Sequence, residues 1–195
     1  AVGVRPESGL ARAAGLELDD RGGVLVDAQQ RTSDPAIFAV GDAATKRDAV
    51  TGEPVLVPLA QTANRHGRLV ADVIAGREVR SRPVLGTAVV GVLGLTAAAV
   101  GWSEERLRAA GRPVRAIHTH PLHHTGFYPG AQTIALKLLV DPRTDEILGA
   151  QGVGRDGVDK RIDVIATAMR AGLRASELAD LELAYTLADG VEYIR

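Results

Sequence analysis

The chain has 195 residues, 46% of them hydrophobic, 3% aromatic and 24% charged, with a formal net charge of −1. This is enough apolar side chain for one large domain or two small ones, and the near-neutral charge and scarce aromatics exclude the basic stripe and stacking surface of a nucleic-acid binder. With no cysteine, neither a disulfide framework nor a redox thiol can operate within these residues.

Residues 1 to about 20 read as the exit from a preceding domain, where a short strand at Ala1-Val2 leads through Gly3-Val-Arg-Pro6 to a helix around Leu10 to Ala14. The only methionine is Met169, so the chain reads as a fragment or truncated product. Gly22-Gly-Val-Leu-Val-Asp27 then predicts a strand after a glycine turn. Thr32-Ser-Asp-Pro-Ala-Ile-Phe-Ala-Val-Gly-Asp42 predicts a buried strand over Ile37, Phe38, Ala39 and Val40 that ends abruptly in a glycine and a carboxylate. Open α/β sheets bind ligands beyond the carboxyl ends of their strands. Gly41 there lets a ligand approach the backbone, and Asp42 offers acceptor oxygens to a polyol. Pro58 to Gly76 reads as a helix opened by proline and ended by glycine. Its first-turn amides lack intrahelical acceptors and, with the helix dipole, suit an electron-rich ligand edge.

The polar run Arg77-Glu-Val-Arg-Ser-Arg82 before Pro83 marks a boundary near residue 84, dividing the chain into 1–83 and 84–195. Val84 through Trp102 is uncharged and nearly long enough for a membrane span, but Gly86, Gly91, Gly94 and Gly101 punctuate it as a buried hairpin of two short strands around Gly94. Further strands are expected near 114–119, 132–140 and 146–153, with helices at 103–111, 157–171 and 175–183. Strands mostly first and helices last describe an α+β unit.

Two motifs in this half invite a chemical reading. Gly152-Val-Gly-Arg-Asp-Gly157 matches a dinucleotide fingerprint literally, but the segment after the next helix, Ser176-Glu-Leu-Ala-Asp-Leu-Glu182, reads as another capped helix instead of the required parallel strand. His118, His120, His123 and His124 crowd together, and His118 and His120 share a strand face as metal ligands can. No cysteine or nearby carboxylate completes a first shell there, so no metal is assigned. On the helix at 157–171, Val158, Ile162, Ile165, Ala168 and Met169 form an apolar stripe, with Asp159, Lys160, Arg161 and Asp163 largely away from it.

Taken in order, Gly3-Val-Arg-Pro6, the Thr32 to Asp42 segment, Pro58-Leu-Ala with Ala63-Asn-Arg65, Phe127-Tyr-Pro-Gly130, Ile147-Leu-Gly-Ala-Gln151, Gly157-Val-Asp-Lys-Arg-Ile162 and Leu181-Glu-Leu-Ala-Tyr185 resemble the pyridine nucleotide-disulfide oxidoreductases, in the coenzyme A disulfide reductase, NADH oxidase and persulfide reductase branch. The resemblance covers almost the whole chain and aligns it to roughly the last two fifths of such a protein. It implies an α/β and α+β architecture: the C-terminal part of an FAD-binding Rossmann-like domain, preceded by a remnant of the NAD(P)-domain exit, then a dimerisation domain with an antiparallel sheet. It further implies FAD as cofactor, with Gly41 and Asp42 at the ribityl chain and the amides near Leu59, Ala60 and Gln61 at the pyrimidine edge of the flavin. NAD(P)H is the implied reductant, and the acceptor is a small disulfide, a persulfide or oxygen. A homodimer is implied, in which Tyr128 and Tyr185 reach the partner subunit's flavin and cysteine as candidate catalytic residues. Where the family commonly has two tyrosines before Pro-Gly, this chain has Phe127-Tyr128. After Tyr185 it lacks the usual Pro-Pro-aromatic segment.

The expected function is therefore the C-terminal part of a cytoplasmic FAD-dependent NAD(P)H:disulfide or persulfide oxidoreductase, without a membrane or nucleic-acid partner and inactive alone because the redox cysteine lies elsewhere. Two other classes compete: a non-catalytic dimerisation module, and a small metal-binding protein built on the histidine cluster.

Overall fold

The computed structural model describes residues 3–184, which leaves the expected Ala1-Val2 strand outside the described residues. The chain forms two compact units, divided between Val84 and Leu85.

In the N-terminal unit, helix α1 (Gly9–Ala13) leads into a path held by turns and single bridges. The two strands expected from apolar runs do not form ladders. Segment 22–27 bridges only through Val24, to Leu18 and to Ala44, and segment 37–40 only through the Arg31–Phe38 pair. Ile37 and Val40 are 37% and 41% exposed, not buried. A buried strand needs hydrogen-bond partners along both edges, and segment 37–40 is paired on one edge only, with Gln30 and Thr32. Local turn chemistry takes over: the Ala36 amide donates to Asp34 Oδ1 at 2.8 Å, that of Ile37 to the Asp34 carbonyl at 3.0 Å and that of Thr32 to the Ile37 carbonyl at 3.0 Å.

A small antiparallel hairpin follows, β1 (Lys46–Arg47) with β2 (Pro54–Val55). Asp48 caps its turn, with Oδ1 accepting from the amides of Val50 and Thr51. Helix α2 (Ala60–Ile74) begins two residues later than Pro58, because Leu59 in extended geometry is its N-cap. Thr62, His66 and Val73 are its buried stripe, spaced as one helix face requires. Gly76 ends the run in left-handed geometry at φ 79.

The C-terminal unit is α+β. Its sheet has five antiparallel strands in the order β3-β4-β7-β6-β5, formed by β3 (Ala88–Val92), β4 (Leu95–Gly101), β5 (Arg115–Thr119), β6 (Ala135–Val140) and β7 (Ile147–Gly154). Leu93 and Gly94 both take positive φ, 50 and 76, the geometry a two-residue hairpin turn demands. Between β4 and β5, α3 (Glu104–Ala109) is capped by Ser103, whose Oγ accepts from the Arg106 amide at 3.2 Å. Helix α4 (Val158–Ala171) lies on one face of the sheet over β4 and β7. Val158, Ile162, Ile165 and Ala168 close the core against Ala98, Val100, Leu136, Leu138 and Ala150. Leu107 and Leu139 are buried as well, and neither belongs to that cluster.

Three expectations change here. The hairpin is only half buried: Ala98 and Val100 of β4 lie in the core, but β3 is an edge strand paired only with β4, and Val90 is 59% exposed. Register pairs Val90 with Ala97, Ala97 with Val153 and Val92 with Leu95, so exposed Val90, Val92, Leu95 and Val153 share the face opposite α4. The expected helix at 175–183 is a 3-10 turn over Ser176–Asp180: the Leu178 amide donates three residues back, to the Ala175 carbonyl at 3.2 Å, and the backbone is already extended at Leu181. Arg161, expected on the wet side of α4, is only 4% exposed. Its guanidinium donates to the carbonyls of Gly157, Leu122 and His123 at 3.2, 3.2 and 3.0 Å, stitching the start of α4 to the histidine loop. Among the described residues no helix is long and apolar enough to cross a membrane.

Candidate functional site

Asp42 and Pro58 line a cleft of about 590 Å³ in the N-terminal unit together with Arg5, Pro6, Asp20, Arg21 and Leu56; Gly41, Leu59, Ala60 and Gln61 are chain neighbours of those two lining residues. Asp42 is exposed at its rim. The preceding Gly41 holds φ 81, a conformation most side chains resist, and a Cβ built on it meets no atom within 4 Å. The space above this turn is therefore open. Pro58 leads directly to Leu59, Ala60 and Gln61, where α2 starts without a side-chain cap. An uncapped helix start presents partial positive charge.

The turn is pinned from below. The backbone at Ala43 and Thr45 is held by Val24, whose amide donates to the Ala43 carbonyl at 2.8 Å and whose carbonyl accepts from the Thr45 amide at 2.9 Å. Lys46, only 4% exposed, sends its ammonium back to the carbonyls of Gly41 and, at 2.8 Å, Ala44. Burial pushes the Lys46 pKa below its ordinary value, with the Asp42 carboxylate pulling the other way. His66, buried on α2, has no hydrogen-bond partner for its Nδ1. Its pKa is lowered by burial first, then by the charges of Lys46 and Arg65. Sequence reasoning missed both residues. Lys46 lies in a polar stretch, and only the tertiary path of the Gly41 turn shows that its ammonium is turned inward.

In the C-terminal unit, Tyr128 is 45% exposed on a loop ordered by ring contacts. His124 meets the Tyr128 ring edge-on with centroids 6.1 Å apart, and its two nitrogens lie 2.8 Å from His123 Nε2 and 3.3 Å from the Tyr128 carbonyl. Tyr185 lies outside the described residues. Among the described residues no group of three or more His, Cys, Asp and Glu side chains is placed to hold a metal ion; His123 and His124 are engaged with each other and with the carbonyls of Gln132 and Tyr128. The glycines of the 152–157 stretch serve packing. A Cβ on Gly152 would come within 2.9 Å of Val158, and one on Gly154 within 3.1 Å of Ile134. Strand β7, on which they sit, is antiparallel to both neighbours, so the parallel unit of a dinucleotide fingerprint is not built there.

Comparison with known proteins agrees with this division. Residues 80–188 match the model of the pyridine nucleotide-disulphide oxidoreductase dimerisation domain, and residues 1–67 that of the pyridine nucleotide-disulphide oxidoreductases. The chain is 35% identical over 185 residues to a coenzyme A disulfide reductase of Staphylococcus haemolyticus, covering 94% of this chain and 42% of the relative. It thus spans about two fifths of that protein's length. Among solved structures, reduced CoADR-RHD of Bacillus anthracis superposes with a TM-score of 0.93 at 44% identity, over 97% of this chain and 35% of the other. A NAD-dependent persulfide reductase from A. fulgidus does so with a TM-score of 0.92 at 37% identity, over 97% and 36%. With a family model spanning more than half its residues and solved relatives sharing its fold, the chain belongs to the pyridine nucleotide-disulphide oxidoreductase family.

Proposed function

We propose that these residues are the C-terminal part of an FAD- and NAD(P)H-dependent oxidoreductase acting on a small disulfide, a persulfide or oxygen, and that they supply one wall of its flavin site and the contact with a second copy. The observation that carries this reading is the cleft shared by Asp42 and Pro58. Its residues fit a flavin. An exposed carboxylate accepts hydrogen bonds from sugar-alcohol hydroxyls, the space over Gly41 is clear, and the positive end of the α2 dipole at Leu59, Ala60 and Gln61 favours an electron-rich ring edge. When bound, FAD passes electrons between a nicotinamide and a sulfur or oxygen acceptor. The role of these residues is to bind and orient it.

A redox thiol has to come from outside these 195 residues, none of which is cysteine, so we read the chain as inactive by itself. Tyr128 and, by motif, Tyr185 are proposed to present phenols to the site of a partner subunit as hydrogen-bond donors. The match to a dimerisation domain and the exposed apolar face of Val90, Val92, Leu95 and Val153 support a homodimer joined through that face. We place the enzyme in the cytoplasm, where NAD(P)H is maintained as a reductant.

The test is to express the complete reading frame that contains this chain, record its flavin spectrum and follow NADH and NADPH consumption with coenzyme A disulfide, a persulfide and oxygen in turn. A yellow protein with FAD bound and turnover on at least one acceptor is the expected result. A folded protein without flavin overturns the assignment.

A further inference from the structure

We infer that Lys46 is a positioning residue for the flavin site, its ammonium clamping the Gly41–Ala44 turn from the inside so that Asp42 is held at the cleft. The inference rests on the flavin reading of that cleft and assigns a role to a side chain that does not line it but reaches its Gly41–Ala44 turn from a neighbouring cavity.

Gly41 is the flexible link of the turn. Glycine rotates between positive and negative φ at little cost, and no neighbouring atom would obstruct even an added Cβ, so sterics alone do not hold Asp42 in place. Backbone hydrogen bonds to Val24 fix the chain only from Ala43 onward. The Gly41 carbonyl is held by the Lys46 ammonium, which also takes the Ala44 carbonyl at 2.8 Å. One cation thus bridges the two ends of a four-residue turn. Rotating the Gly41–Asp42 peptide would break a charge-assisted hydrogen bond, stronger than a neutral one, and would leave a buried ammonium short of an acceptor.

A neutral donor of similar reach would hold the same carbonyls less firmly. Its charge also places a positive potential beside the turn, where the Asp42 carboxylate opposes it. Lys46 therefore acts on a flavin in two separable ways: through the geometry of Asp42, and through its charge, which favours electron-rich states of a bound ring.

The experiment uses the full-length protein from the complete reading frame, with Lys46→Met and Lys46→Arg. FAD affinity is measured by titrating apoprotein with FAD, and the midpoint potential of bound FAD by dye equilibration. Lys46→Met is expected to weaken FAD binding by about tenfold and to shift the potential to more negative values, while Lys46→Arg keeps both near the wild-type values. A lysine with only a structural role would lower Tm and leave the potential of bound FAD unmoved. If Lys46→Met does not fold, Lys46→Gln is compared with Lys46→Arg, and the same order is expected. Equal affinity and equal potential in wild type and the charge-free variant overturn the inference while leaving the flavin reading intact. A wild-type protein without flavin overturns both.

Discussion

Asp42 and its support show two kinds of residue, one readable along the chain and one not. Asp42 was legible because an apolar run ending in glycine and a carboxylate is a local pattern, and the helix start at Leu59 is local too. Lys46 was not, since its burial depends on how the Gly41 turn folds back over a side chain five residues on. For Asp42→Ala in the full-length protein we predict roughly tenfold or more weaker FAD binding, the loss of hydrogen bonds to a charged acceptor, measured as the dissociation constant of the flavin. His66, the only histidine before the boundary, gives a prediction about pH. Its pKa is depressed in the folded state, so as pH falls through the ordinary imidazole range near about 6.5 the unfolded chain takes up a proton first. The stabilising difference is therefore fully present above that range and is lost as pH falls through it. The protection factors of the α2 amides, which are corrected for the slower intrinsic exchange at lower pH, should fall between about pH 7.5 and 5.5, and His66→Gln should remove that fall. Equal protection in both proteins would refute the assignment.

At the level of elements, the C-terminal strands and α4 were legible because each carries its own period: alternation through Leu136, Lys137 and Leu138, and a stripe from Val158 to Ala168. The apolar run at Ile37 to Val40 misled because a fully buried strand is defined by its neighbours, and an unalternating run says nothing about whether they are present. At Ser176–Asp180 the chain becomes extended at Leu181 after one short 3-10 turn, a length that capping residues and local composition do not encode. Packing under α4 sets the stability of this unit. Ile165, fully buried in the core cluster, should cost roughly 3 kcal/mol on truncation to alanine, read as a lowered urea midpoint in far-ultraviolet circular dichroism. A change below about 1 kcal/mol would mean that the α4 contact closes no real core.

For the whole molecule, the exposed face beside β3 is the feature that a lone chain handles least well. An edge strand with Val89, Val90 and Val92 uncovered is a ready template for association, and the proposed second copy would cover the row shared with Val153. Sedimentation of the full-length protein should give twice the mass of one chain, and Val90→Lys should shift it toward a single chain; an unchanged dimer would place the contact elsewhere. A different consequence follows from Trp102, the only tryptophan, which is buried with the Arg106 guanidinium 3.7 Å from its ring centroid. All three tyrosines also lie beyond residue 84. Tryptophan emission of this chain thus reports from within the unit that carries the five-stranded sheet, where it registers melting around that sheet, damage at Ile165 included.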